Sequence, residues 1–287
     1  MDAPPMSESP GTLVLAAAPL GNPADASARL AAELAGADVI AAEDTRRLRR
    51  LAADLGIQLD ARVVSYFEGN EASRTPDLVA ELRAGTRVVL VTDAGMPSVS
   101  DPGYRLVTAA IDAGVPVTAA PGPSAVLTAL ALSGLPVDRF TFEGFVPRKA
   151  GDRIRTLAAL REEPRTMVFF ESRHRLVQTL RAMADTFGTA RAAAVCRELT
   201  KTHEQVTRGS LRELVDWVEQ AKPLGEITIV VQGHRDVPQR VTPSAAAARV
   251  AALEAQGLAR KQAIATVAAE TGMRKREVYD AVLDARD

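Results

Sequence analysis

The sequence predicts an α/β protein built as two α/β domains with a cleft between them, followed by a C-terminal α-helical extension. Three observations carry this expectation. From residue 12, short β-branched runs alternate with Ala/Leu-rich amphipathic segments, the pattern of βαβ units around a largely parallel sheet. The alternation restarts with different motifs near "PGPS" at residues 121–124. Beyond residue 235 no strand pattern remains. The boundaries that follow are a tail over 1–11, a first domain over 12–122, a second over 123–234 and a helical extension over 240–287.

Each element has its own signal. "TLVLAAA" reads as a buried strand, "PLGNPADAS" as the turn after it and "RLAAELAGA" as a helix. "DVIAAED" and "ARVVSYF" are the next strands; "RTPDLVAELRAG" is a helix stopped by Gly85. "RVVLVTD", the helix "GYRLVTAAIDAG" and the strand "PVTAA" complete the first series. The second series runs from the helix "SAVLTALALSG" through "RFTFEGF", the helix "DRIRTLAALREE" and the buried strand "RTMVFFE". It ends with the helix "RLVQTLRAMADTFG" and the strands "RAAAVCREL" and "EITIVVQG". In the extension, "SAAAARVAALEAQG" and "ARKQAIATVAAETGMRKREVYDAVLD" read as helices broken at Gly257 and Gly272. They form either a plain packing module or a helix-turn-helix, with "ETGM" as the turn and "RKREVYDAVL" as an exposed second helix.

Composition narrows the function classes. With 47% hydrophobic and 25% charged residues the chain reads as an ordinary soluble globular protein. A net charge of −1 excludes a uniformly basic surface, so a nucleic-acid partner must be met by local patches. Cys196 is the one cysteine, which excludes an internal disulfide; no Cys/His cluster has metal-ligand spacing. The expected compartment is the reducing cytoplasm, with no metal. "MDAPPMSESPG" lacks the basic and apolar regions of a secretory signal and reads as a disordered tail. No apolar run approaches the roughly 18–20 residues of a membrane span.

Ligands of parallel α/β sheets gather at the carboxyl ends of strands. Three loops are expected there: "PLGNPAD", "DAGMPSVSDPG" and "PGPSA". None is GxGxxG or GxxxxGK[ST], which leaves the usual pyrophosphate and nucleoside-triphosphate sites unsupported. They offer carboxylates, backbone and small residues without a lysine, which suits a cationic or hydroxyl-bearing small molecule. Asp93 ends an apolar strand, and is either a turn aspartate bonding its own backbone or a ligand contact. Ser124 is either a simple helix cap or a hydroxyl facing the ligand at a helix start.

Long consecutive motifs carry a resemblance. "APLGNPADAS", "AAEDTRR", "TDAGMPSVSDPGYRLV", "PGPSAVLTALALSGLPVDRFTFEGFVPRK", "FFESRHRL" and "RELTKTHEQVTRGSLREL" resemble, in order, the bacterial ribosomal RNA small-subunit methyltransferase I family of the tetrapyrrole-methylase (class III) superfamily. The resemblance implies a tetrapyrrole methylase-like fold with S-adenosylmethionine in the cleft. It implies transfer of a methyl group to a cytidine ribose 2′-OH in the decoding region of 16S rRNA, within the 30S subunit, by a homodimer. It places Leu20, Asp93, Met96, Ser124 and Ala125 beside the cofactor, joined by Glu171, Ala194, Glu226 and Ile227 of the second domain. Ala18 stands where the family usually has Thr or Ser, and Met96 where Thr is usual.

RNA must be gripped through its phosphates by Arg and Lys. The candidate clusters are Arg46, Arg47, Arg49 and Arg50; Arg148, Lys149 and Arg153; Arg173, His174 and Arg175; and Arg274, Lys275 and Arg276. A ribose hydroxyl is a poor nucleophile, so a base is useful. Glu171 and Lys201 lead the candidates, with Glu43, Asp44 and His174 behind them; a nearby sulfonium would favour a neutral Lys201. Two alternatives stay open: a tetrapyrrole, corrinoid-precursor or diphthamide-pathway methyltransferase, and a cofactor-sensing RNA-binding protein. Arginine clusters favour RNA, and 4% aromatic content argues against a broad base-stacking platform.

Overall fold

In the computed structural model, which describes residues 11–235 and 242–285, the strands form two five-stranded sheets. The expected tail (residues 1–10) and the start of the extension (240–241) lie outside the described residues. Gly11, counted with that tail, is buried and donates its amide to the Leu82 carbonyl at 2.8 Å.

The first half runs β1 (Leu13–Ala16), α1 (Ala28–Ala35), β2 (Val39–Ala42), α2 (Thr45–Asp54), β3 (Arg62–Ser65), α3 (Glu71–Arg83), β4 (Val88–Val91), α4 (Tyr104–Asp112) and β5 (Val117–Ala120). Its sheet has the order β3-β2-β4-β1-β5 with every pairing parallel. Parallel sheets are buried on both faces, which is why "VIAA" and "VVLV" are unbroken apolar runs. Leu30, Leu34 and Leu48 of α1 and α2 cover one face. Leu78, Leu82, Leu106 and Ala110 of α3 and α4 cover the other. The winding reverses between β4 and β1, so the helices that follow these neighbours, α4 and α1, lie on opposite faces of the sheet.

The second half runs α5 (Ala125–Ser133), β6 (Phe140–Phe145), α6 (Ala150–Ala159), β7 (Thr166–Ser172), α7 (Leu176–Phe187), β8 (Ala192–Arg197), β9 (Gln205–Ser210), α8 (Leu211–Ala221) and β10 (Glu226–Val231). The order is β6-β7-β10-β8-β9, and here the expectation of a largely parallel sheet fails. Only β6 and β7 pair in parallel; the remaining pairings are antiparallel. The cause is local: β8 and β9 form a hairpin, and β10 inserts between β7 and β8. Met167, Phe169, Ile229 and Val231 face α6, α7 and α8, while Val168, Cys196 and Val230 face α5.

Two elements carry no clear signal in the sequence, and a third is readable only at its start. β9 is an edge strand with no buried residue, so "QVTRGS" shows neither an apolar run nor clean alternation. In α2, four arginines obscure the seam made by Leu48 and Ala52. In α8, the capping box of Ser210 and Glu213 is the readable start signal, with Ser210 Oγ accepting from the Glu213 amide.

The residues up to His234 form one compact unit, and those from Arg235 form another. The second unit contains α9 (Pro243–Ala255), α10 (Arg260–Thr271) and α11 (Lys275–Asp284), closed around Val250, Val267, Val278 and their neighbours. Gly272 ends α10 in the left-handed conformation, the expected break.

Candidate active site

A cavity of about 650 Å³ lies between the two sheets, in the size range of small-molecule sites. The first half supplies Leu20 after β1, Glu43 and Arg47 after β2, and the loop after β4 from Asp93 to Asp101. Ser124 and Ala125 enter at the start of α5. The second half supplies Phe145, Phe170, Glu171, Arg173, Cys196, Glu198, Glu226 and Ile227. Eight of the nine residues expected beside a cofactor therefore line one pocket: Leu20, Asp93, Met96, Ser124, Ala125, Glu171, Glu226 and Ile227.

Ala194 is the exception. It is fully buried in β8 beneath Ala129 and Leu130 of α5, and Cys196, two residues further along the same strand face, reaches the pocket in its place. Burial pushes the Cys196 thiol up to about 11, leaving it a weak nucleophile.

The loop after β4 is long because it is shaped for the pocket. Ala18 and Gly95 exchange both backbone hydrogen bonds at 2.9 Å, tying this loop to the one after β1. The tie is backbone only, so it does not depend on the side chain at position 18. Ser98 and Ser100 both take left-handed φ, 71° and 63°, a costly conformation that clusters at functional sites. Gly103 closes the loop at φ 139°, and a Cβ there would sit 2.6 Å from Ser98 Oγ. Asp101 hangs from this arc into the cavity.

Electrostatics separate the acidic groups. Burial raises the Glu43 carboxyl above its ordinary value, although it accepts the Asp93 amide at 3.1 Å. Burial also raises Asp93, opposed by Arg47 at 3.3 Å. Asp101 is pushed up to about 7 by burial and by the charges of Glu43, Asp93 and Glu226. Asp44 lies on the other side of the range: the Arg46 guanidinium holds its carboxyl well below ordinary values while its oxygen caps α2. It is no base.

Both leading base candidates are already engaged by other side chains. The Glu171 side chain is fully buried, bound by Arg175, by the Thr179 hydroxyl at 2.6 Å and by the Ser172 amide at 2.7 Å. Lys201 lies outside the cavity lining, its stem laid over Gly21, where a Cβ would come within 2.2 Å of Lys201 Cγ. Its ammonium binds Glu198 at 3.0 Å and Glu226 at 2.9 Å. Burial pulls Lys201 toward neutrality, but the two carboxylates outweigh it, and its pKa is raised. Lys201 is thereby an ammonium clamp between Glu198 and Glu226. Asp101, a further carboxyl of the pocket lining, was legible only as the second carboxylate of an overlong loop.

The basic clusters divide in the same way. Arg46, Arg49, Arg50, Arg148, Lys149, Arg173 and His174 are exposed. Arg47 is exposed too, yet it lines the pocket through its pair with Asp93. Arg175 is a packing residue: it binds Glu171 and donates to the Val146 carbonyl at 3.1 Å. Arg153 is buried, donating to the Arg148 carbonyl at 3.4 Å. Both leave the list of surface cations. In the helical unit, Arg274, Lys275 and Arg276 are exposed around the start of α11.

The donor set suits a sulfonium cofactor. Carboxylates at Glu43, Asp93, Asp101 and Glu226 complement a cation, and Leu20, Val126, Leu199, Ile227 and Phe170 give an aromatic ring apolar walls. Among the described residues there is no group of His, Cys, Asp or Glu able to hold a metal ion, and no helix long and apolar enough to cross a membrane.

Two sheets facing across an acidic, partly apolar cleft define a two-half α/β protein built around a cationic small molecule. The family model for Tetrapyrrole (Corrin/Porphyrin) Methylases matches residues 12–215. A cobalt precorrin-4 methyltransferase structure superposes with a TM-score of 0.58 at 18% identity, covering 77% of this chain and 94% of that one. A uroporphyrin-III C-methyltransferase from Thermus thermophilus, complexed with S-adenosylhomocysteine, superposes at 0.54 and 19%, covering 77% and 96%. A relative from Mycobacterium tuberculosis named ribosomal RNA small subunit methyltransferase I is 54% identical over 97% of this chain and 96% of its own. The chain belongs to the ribosomal RNA small subunit methyltransferase I family, within the tetrapyrrole methylases.

Proposed function

We propose that this chain uses S-adenosylmethionine to methylate the 2′-OH of a cytidine ribose in the decoding region of 16S rRNA, acting in the cytoplasm on the 30S subunit as a homodimer. The observation that carries the reading is the pairing of an acidic cofactor-sized pocket with exposed arginines at its rim, in a chain of this family. Bound in the pocket, the cofactor supplies a methyl group on a positively charged sulfur. Asp93, Glu226 and the Ser124–Ala125 turn hold it, with Leu20, Met96 and Ile227 as apolar walls. Arg173 at the pocket, and Arg46, Arg49, Arg50, Arg148 and Lys149 outside it, meet RNA phosphates, and the helical unit adds Arg274, Lys275 and Arg276. Alignment of the ribose oxygen with the methyl group supplies much of the rate.

The halves 12–122 and 123–234 act as the two jaws of the cleft. A near-zero net charge favours a dimer, because doubling the basic rim builds a local positive field that the whole chain lacks. The test is methyl incorporation from labelled cofactor into 30S subunits, naked 16S rRNA and a corrinoid precursor, with nucleoside analysis of the product. 2′-O-methylcytidine from 30S subunits is the expected result. Labelling of the corrinoid alone would replace this reading by tetrapyrrole chemistry.

A further inference from the structure

The acidic groups around the cavity differ in whether a donor already holds them. Glu43 accepts the Asp93 amide, Asp93 faces Arg47, Glu198 and Glu226 share Lys201, and Glu171 is consumed by Arg175 and Thr179. Asp101 lines the same cavity, and among the described residues its carboxyl makes no hydrogen bond or ion pair. It can therefore receive a proton without breaking an existing contact. Its position is imposed by the arc from Ser98 to Gly103, with left-handed φ at Ser98, Ser100 and Gly103. A loop that accepts such strain and leaves a carboxyl unpaired is not explained by stability.

We propose that Asp101 is the catalytic residue that takes the proton from the attacking ribose hydroxyl, an inference that rests on the methyl-transfer reading above. As the hydroxyl oxygen bonds to the methyl carbon, the C–S bond breaks and its electron pair stays on sulfur. The O–H proton passes to an Asp101 oxygen. A sulfonium cation and a carboxylate anion become a neutral thioether and a neutral acid, so charge balances within the pocket. The charges of Glu43, Asp93 and Glu226 favour the protonated form of Asp101, and Arg47 and Arg173 are the cations on the same cavity wall. Burial first, and those charges second, place its proton affinity where a base can both accept and release near neutrality.

The full-length protein and its Asp101→Asn and Asp101→Glu variants test this by two independent readouts. In single-turnover methylation of 30S subunits, Asp101→Asn is expected to lose about a hundredfold or more in rate, with partial recovery in Asp101→Glu. RNA affinity should stay within about threefold. In calorimetry, wild-type affinity for S-adenosylmethionine should rise with pH through about 7 as the carboxylate forms beside the sulfonium. Affinity for S-adenosylhomocysteine, which lacks that charge, should not, and neither ligand should show the rise in Asp101→Asn. An Asn variant within about threefold of the wild-type rate, or one that keeps the charge-specific pH rise, overturns the proposal. Absence of any 2′-O-methyl product from the wild type refutes the functional reading instead, and the cofactor titration still decides the role of Asp101.

Discussion

Arg47 of α2 reaches the carboxylate of Asp93 in the loop after β4, 3.3 Å away, and so joins the arginine-bearing helix to the pocket. On the proposed function, an RNA phosphate arriving at α2 would compete with Asp93 for this guanidinium. Arg49 and Arg50, on the same helix, are exposed and do not line the cavity. Arg49→Glu with Arg50→Glu should therefore weaken rRNA binding by about tenfold or more and leave cofactor affinity within about threefold. Arg47→Glu should lower both affinities, because it sets a third acidic group against Asp93 and Glu43. Filter binding and calorimetry on the two variants distinguish the outcomes; identical profiles would detach Arg47 from the cofactor loop.

Glu171 should be read through stability. Glu171→Ala leaves Arg175 and Thr179 without their buried acceptor and should cost about 3–5 kcal/mol in urea melts. The protein that remains folded should keep most of its methylation rate. A stable variant with abolished turnover would restore Glu171 as a base.

Asp101 also leaves a signature in folding. Its carboxyl goes from an ordinary 3.8 to about 7 in the fold, so the folded chain keeps a proton that the unfolded chain releases. Its contribution is fully present below about pH 4 and is lost as pH rises through 7. Asp101→Asn should match wild type near pH 4 and exceed it at pH 8. The gain is on the order of 1–2 kcal/mol once partial solvation is allowed for. Equal melts at pH 8 would show that the carboxyl is not destabilised by its site.

Phe145 is 55% exposed at the cavity and makes an edge contact with Phe170, their ring centres 5.7 Å apart. One exposed ring at a pocket mouth suits one unstacked base rather than a broad platform. Phe145→Ala should weaken rRNA binding by about 1–3 kcal/mol with little change in cofactor affinity. Unaltered RNA affinity would make Phe145 an ordinary exposed side chain.

The parts of the site readable from sequence are those in which one residue carries its own reason. A carboxylate ending an apolar strand pointed to Asp93, and a serine opening an Ala-rich helix pointed to Ser124. Lys201 could not be read that way, because its role depends on Glu226, 25 positions later, and on the bare backbone of Gly21 in the other half. Arg175 and Arg153 failed for the same reason: exposed and buried arginines look alike until their acceptors are known. In the fold, continuous apolar strands were legible, whereas β9 owes its existence to its neighbour β8 rather than to its own composition.

The order of the strands has a consequence for synthesis. The first sheet owns all five of its strands once residue 120 has been made. The second is completed from the inside, because β10, the last strand in the chain, is its middle member. Until β10 arrives, β7 and β8 each present an unpaired apolar edge of the kind that invites wrong partners. Glu226 and Ile227 of the pocket wall come with that same strand. A nascent chain therefore passes through a stage with one finished half, one sticky half and an incomplete cofactor pocket.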